Sequence, residues 1–352
     1  MTALESRVCA SWRVQACAAG LCAGAQLYLF GTGIAMPVTL CSAWIASLAA
    51  LPMVALTAAL CRRALVSPRR PGHLFLALQL LLALTLLCNA AFALCGLVSL
   101  AGQTLLVQAR ALWSAAVAVV AIALCALTGG APRLCFALRW ALPALLALLT
   151  ALCLPPDMPA GLFPLLGAGG AELATAAVCM QGAASPLLML MLPPRELARA
   201  GEAGRRCPVP GTRFFVTRAL CGAGAGALLL LAADACTAYE ALLGSGDWGE
   251  RLPLVANPGG GMLQTALTVC QLIAVALLAV CQLAAAEQAL LRALPQAQKG
   301  RAGLWALVGL LAAGMAAFIV LGMTPALFAA PLLIVPTALL LIAHRRMGGM
   351  DG

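Results

Sequence analysis

Residues 171–192 read AELATAAVCMQGAASPLLMLML. A helix needs about 20 apolar residues to cross a hydrocarbon core about 30 Å thick, and this run supplies them. At 1.5 Å per residue from Ala171, Gln181-Gly182-Ala183-Ala184-Ser185-Pro186 begins about 15 Å in and joins Gly, Ser and Pro within six residues. Such a run is a membrane span interrupted at mid-depth, and the chain on both sides of it repeats the same composition.

Of the 352 residues, 64% are hydrophobic and 9% are charged, against roughly 45–50% and about 25% in soluble domains. With a mean hydropathy of +1.03, a soluble fold is excluded. Splitting the chain at Pro, Gly and charge clusters leaves ten apolar stretches, at 13–36, 44–61, 74–99, 107–128, 134–154, 171–192, 214–236, 262–286, 302–322 and 325–343. They do not alternate, and Leu and Ala outnumber β-branched residues, so a strand reading fails. The sequence predicts an all-α polytopic membrane protein, one transmembrane domain over 1–352 with ten transmembrane helices.

The formal charge of +10 would point to nucleic acid in a soluble protein, but in a membrane protein basic loops set orientation. With a cytoplasmic N-terminus, 19 of the 21 Lys and Arg fall on the inner side, and only Arg110 and Arg251 fall outside. That asymmetry supports an even number of spans, cytoplasmic termini and the bilayer, not nucleic acid, as the partner of the charge. Trp12, Trp44, Trp113, Trp140 and Trp305 sit near span ends, as interfacial anchors do.

Groups for catalysis are scarce. The two histidines, His73 and His344, lie near Arg at span ends, and no P-loop, HExxH or GxSxG motif occurs. The 16 Cys lie almost entirely inside apolar runs with no metal-type CxxC pair, which reads as packing. Asp234 and Glu287 fall near an interface rather than the midplane. The expectation is therefore a protein with no catalytic residue, no metal and no cofactor, whose ligand is held by backbone and neutral polar groups.

Ten spans divide into five and five, and because five is odd the second half enters from the opposite side. This is inverted-repeat geometry, with repeats over 13–154 and 171–345. Proteins of this kind bind at the midplane, where the first helix of each repeat is broken. Gly31-Thr32-Gly33 lies too deep, roughly 27 Å beyond Arg13, whereas Gly24-Ala25-Gln26 is roughly 17 Å in. The expected interruptions are Gly20 to Gln26, with Gly20, Gly24, Ala25 and Gln26 as ligand-binding candidates, and the sixth-span break with Gln181, Gly182 and Ser185. Asn89 and Gln271 are further polar candidates at intermediate depth. The neutral alternative for all of these residues is helix packing.

Several passages are similar to one known family. Gln15 precedes the Gly-interrupted first span, Ser42-Ala43-Trp44-Ile45 opens the second, and Arg62-Arg63 closes it. Gly129-Gly130-Ala131-Pro132-Arg133 precedes the fifth span, and Phe163-Pro164-Leu165-Leu166-Gly167 leads into the sixth and its basic loop. Pro325 and Pro331 lie in the last span, which Arg345-Arg346 closes. In this order and over most of its length, the chain resembles the spore-germination permease family, the B subunits of germinant receptors within the amino-acid/polyamine/organocation superfamily. It departs from the family in carrying Gly31 where a Pro is common, and neutral Gln181-Gly182 where an acidic residue is common.

The resemblance implies a LeuT-like fold with helices 1 and 6 broken. It also implies a small germinant such as a neutral amino acid, A-type and C-type receptor subunits as partners, and the bacterial spore inner membrane as location. In such a site, N–H groups near Gly24 and Gly182 would hold a carboxylate, and Gln26, Gln181 and Ser185 the ammonium. Two other readings fit the composition: an ion-coupled secondary amino-acid transporter, and a structural membrane subunit without a ligand.

The charge asymmetry makes the topology testable. A reporter placed after Gly204, or at either terminus, is expected to be cytoplasmic in intact cells. Labelling of the Gly204 reporter from outside would overturn the ten-span assignment.

Overall fold

A Leu- and Ala-rich run in hydrocarbon can satisfy its backbone only by bonding within itself, which makes it a helix. The computed structural model describes residues 3–31, 43–66, 73–104, 131–153, 170–193, 209–242 and 262–293, and among them there are helices and no strand. They form α1 (Ala3–Gly31), α2 (Ala43–Val66), α3 (His73–Thr104), α4 (Ala131–Leu138), α5 (Ala141–Cys153), α6 (Gly170–Met180), a 3-10 helix (Gln181–Met191), α7 (Thr212–Leu242) and α8 (Met262–Ala293). Among the described residues, five helical stretches are long and apolar enough to cross a membrane: Ala10–Gly31, Ala43–Leu65, Phe75–Leu94, Thr212–Leu231 and Val269–Ala293. The expected spans at 107–128, 302–322 and 325–343 lie outside the described residues.

The stretch expected as a fifth span in one piece over 134–154 is two helices joined by a turn at Arg139-Trp140. Pro143 is the reason. It has no N–H for the Arg139 carbonyl four residues back, and its ring clashes there, yet it is tolerated in the first turn of α5. Regular bonding resumes at once, the Ala144 N–H donating to the Trp140 carbonyl at 3.1 Å. The Arg139 guanidinium lies over the Phe136 ring, 3.7 Å from its centroid.

The distribution of side chains is that of a helical membrane protein. Leu48, Leu56, Leu80, Leu84, Leu148, Val178 and Leu228 are exposed, while Gln26, Ser47, Thr57, Gln79, Asn89 and Gln282 are buried. Lipid is as apolar as leucine, so hydrocarbon gives leucine no reason to turn inward, whereas an amide left in it costs free energy. Helix contacts sort accordingly: α3 packs along α8, α7 packs against both α1 and α2, and the 3-10 helix lies against α1 and α2. Trp12 of α1 meets Phe215 of α7 edge-on at 5.5 Å between centroids, and Phe30 of α1 meets Phe92 of α3 at 5.1 Å.

The expected interruption of the first span is absent: α1 runs unbroken through Gly20 to Gln26. Its glycines serve another purpose. Gly20 and Gly24 share one face of α1 and meet Gly222 and Gly226 of α7. A Cβ on Gly24 would overlap the Gly222 carbonyl, one on Gly226 the Gly24 carbonyl, and one on Gly222 the backbone of Gly20. This is close helix approach through small residues four apart, driven by contact between backbones. The stretch contains no proline, so nothing removes an N–H from the ladder.

The seam can be checked by paired substitutions. Gly24→Val or Gly222→Val should destabilise the protein by about 3 kcal/mol, the upper end of overpacking costs, because backbone rather than a side chain would have to yield. Gly224, with open space around its Cβ position, should accept Ala with a change within about 0.5 kcal/mol. Thermal unfolding of the detergent-solubilised variants measures both.

Candidate functional site

The sixth span changes character where the sequence marks it. In a continuous α-helix the residue-186 N–H would donate to the Gly182 carbonyl, but Pro186 has no N–H and its ring crowds that carbonyl. The α-helix gives way at Gln181 to a 3-10 helix of 11 residues that contains Pro186, far longer than the usual three or four. The Ser185 hydroxyl donates to the Gly182 carbonyl at 2.7 Å.

From Gly182 to Met191 every residue of this segment is buried, and side chains of three other helices donate to its carbonyls or to those of the two residues that follow it. Gln15 Nε2 of α1 donates to Met189 O at 2.7 Å and to Leu192 O at 2.6 Å. Cys61 Sγ of α2 reaches Leu187 O at 3.6 Å. From α8, Gln288 Nε2 and Arg292 Nη2 donate to Pro193 O at 2.8 and 3.2 Å.

A second polar group centres on Asn89 of α3. Its Oδ1 lies 2.9 Å from Ser185 Oγ and 3.4 Å from Gln26 Nε2, and its Nδ2 points to Gln282 Oε1 at 3.5 Å. Gln282 Nε2 in turn faces the Met189 sulfur at 3.8 Å. All four polar residues are buried, and Gln26 Oε1 has no hydrogen-bond partner. Ser185 has one proton with two acceptors in reach, Asn89 Oδ1 and the Gly182 carbonyl.

The structure thus brings Gln26, Asn89 and Ser185 together with the Gly182 carbonyl, and separates them from the other candidates. Gln181 Nε2 instead donates to Ala49 O of α2 at 3.0 Å and to Ala177 O at 3.2 Å, tying α6 to α2. Gly20 lies in the seam with α7, and Gly24 lies both there and on the wall of a cavity of about 60 Å³ that Ala25 and Gln271 also line. Because α1 is unbroken, no free helix end near Gly24 offers N–H groups to a carboxylate, which corrects the expectation for that half of the site.

The sequence reading missed Gln282 as a site residue and did not give Gln15 a role in a site. Both carried a signal. Gln15 and Gln26, like Gln271 and Gln282, are 11 residues apart, which is about three helical turns and returns to the same face. Compared with known protein families and with curated proteins, the sequence matches none.

Gln15 offers a direct test of how much the 3-10 helix depends on its donors. Gln15→Met keeps the volume but takes the side-chain donor from Leu192 O and leaves Met189 O only the Leu192 N–H at 3.2 Å, and should cost about 1–3 kcal/mol. Gln288→Met should cost less, since Arg292 still donates to Pro193 O. Equal losses in thermal unfolding would show that the Gln15 bonds carry no special weight.

Proposed function

We propose that the chain is a permease-type membrane protein that recognises a small neutral amino acid as a signal. This is the role of the B subunit in a spore-germination receptor, working beside A-type and C-type subunits in the spore inner membrane. The observation that carries the reading is the Asn89 cluster: four neutral polar side chains from α1, α3, the 3-10 helix and α8, buried together with one acceptor to spare.

The packing supports the ten-span inverted repeat behind this reading. If span n corresponds to span n + 5, contact between the first and seventh spans implies contact between the sixth and second, and both occur. Contact between the first and eighth implies contact between the sixth and third, and both occur. The pairs three and eight, two and seven, and one and six map onto themselves, and all three are in contact. These helix pairs are exchanged among themselves by the two halves, as a LeuT-like arrangement requires; the contacts of the fifth span with the first, seventh and eighth would have their counterparts at a tenth span, outside the described residues.

The chemistry follows from the unserved Gln26 oxygen. An ammonium group supplies the donor that Gln26 Oε1 lacks, and charge-assisted bonds of this kind are the stronger ones. Among the described residues no carboxylate or guanidinium belongs to the cluster, so a ligand with a charged side chain would be desolvated without a counter-ion. Because the cluster is buried, the ligand reaches it by displacement of the sixth span, whose 3-10 half has the poorer intrinsic hydrogen-bond geometry.

The test is a thermal-shift series on the purified full-length chain. Alanine-like and leucine-like amino acids should raise the melting temperature, and Asn89→Leu should abolish the shift. A ligand at 100 times its Kd adds about 2.7 kcal/mol. Tighter binding of lysine, arginine or glutamate, or an equal shift from the deaminated acid, would refute the assignment. Net uptake of the amino acid by proteoliposomes would favour the transporter reading over the receptor one.

A further inference from the structure

We propose a second binding site, separate from the Asn89 cluster and independent of the germinant reading. The cavity between α1, α4, α5, α7 and α8 takes a small uncharged molecule, mainly apolar, that carries one hydrogen-bond donor. Ala25 and Gln26 are consecutive in α1, yet Ala25 lines this cavity while Gln26 turns to Asn89. The two sites lie on different faces of one helix.

Three features define the guest. The first is size: an engineered cavity of about 150 Å³ holds benzene, and this one is about 60 Å³. That leaves room for a short aliphatic molecule. The second is charge. Leu21, Leu142, Leu146, Leu229 and Leu278 typify the walls, and no charged residue is among the described residues that line it. An ion would lose its hydration there with nothing in return.

The third feature is one unserved acceptor. Gln271 is 3% exposed, and its Nε2 donates to the hydroxyl of Tyr28, which lines the same cavity. Its Oε1 is buried with no partner. Leaving such an acceptor unserved is costly, and a guest bearing an O–H or N–H supplies what it lacks. Short primary alcohols and small primary amides have this combination of size, neutrality and donor.

Cys22 and Cys135 line the same cavity and make occupancy measurable. The purified full-length protein is treated with methyl methanethiosulfonate, itself small and neutral, and modification of each cysteine is followed by mass spectrometry. Propionamide or 1-propanol should slow modification of Cys22 and Cys135 but not of exposed Cys221. A guest of similar size without a donor, such as 1-chloropropane, should need a concentration about three to ten times higher, the worth of one net hydrogen bond. Gln271→Leu should remove that difference, and Ala274→Leu, which fills the cavity from α8, should remove protection altogether.

Equal slowing at Cys221 would mean a general effect of the solvent and would overturn the site. Protection by propionate as good as that by propionamide would overturn the neutral class. Failure of the reagent to reach either Cys22 or Cys135, in protein whose Cys221 reacts, would show that the cavity admits no guest of this size and would equally overturn the proposal.

Discussion

Pro186 cannot continue the α-helical ladder to the Gly182 carbonyl, and the segment that contains it leans on donors from other helices. The α-helix yields to a 3-10 helix, whose bonds are poorer in geometry and whose C-terminal end leaves carbonyls in need of donors in a medium without water. Donors then have to come from neighbouring helices. Gln15, Cys61, Gln288 and Arg292 bring them from α1, α2 and α8. These polar side chains in otherwise apolar helices fix which face each helix turns toward the segment. Hydrophobicity alone could not do so, because leucine gains nothing by facing protein rather than lipid.

Helix α1 meets this demand while serving two others, and it separates them by angle. Gly20 and Gly24 occupy the sector against α7. Tyr28, Leu21 and Ala25 follow around the helix and line the cavity. Gln15 and Gln26 fall together on the remaining sector, facing the 3-10 helix and Asn89. A helix broken at Gly24, as the sequence alone suggested, could not hold these three sectors in register along its length.

The difference between the two expected interruptions shows what a sequence can and cannot state. Proline removes an N–H in any surroundings, so Gln181 to Pro186 was readable as a change in the helix before any contact was known. Glycine costs a helix only about 1 kcal/mol relative to alanine, an amount that packing decides either way. At Gly20 and Gly24 the decision was made by Gly222 and Gly226, some 200 residues away in the chain. The same holds for Gln181, whose bonds to α2 nothing local foretold. Pro143 could have warned of the break at Arg139-Trp140, but apolar length dominated the reading of that span. Gln282 was hidden only because its partner at three turns, Gln271, was considered singly.

These contacts also decide which parts can move. The α1–α7 seam joins backbone to backbone, so sliding it would require whole helices to separate. The sixth span is held chiefly by side chains, and a side chain can follow a carbonyl or exchange it for the next along the segment. Asn89 is bonded to members of three other elements, α1, the 3-10 helix and α8, so any displacement of the sixth span changes its surroundings first. A ligand that bound equally well before and after that displacement would leave the equilibrium where it was, however tightly it bound. On the proposed function, the signal therefore depends on donors that match the oxygens around Asn89 in one arrangement and not in the other. The unserved Gln26 oxygen is the place where that difference in affinity can arise.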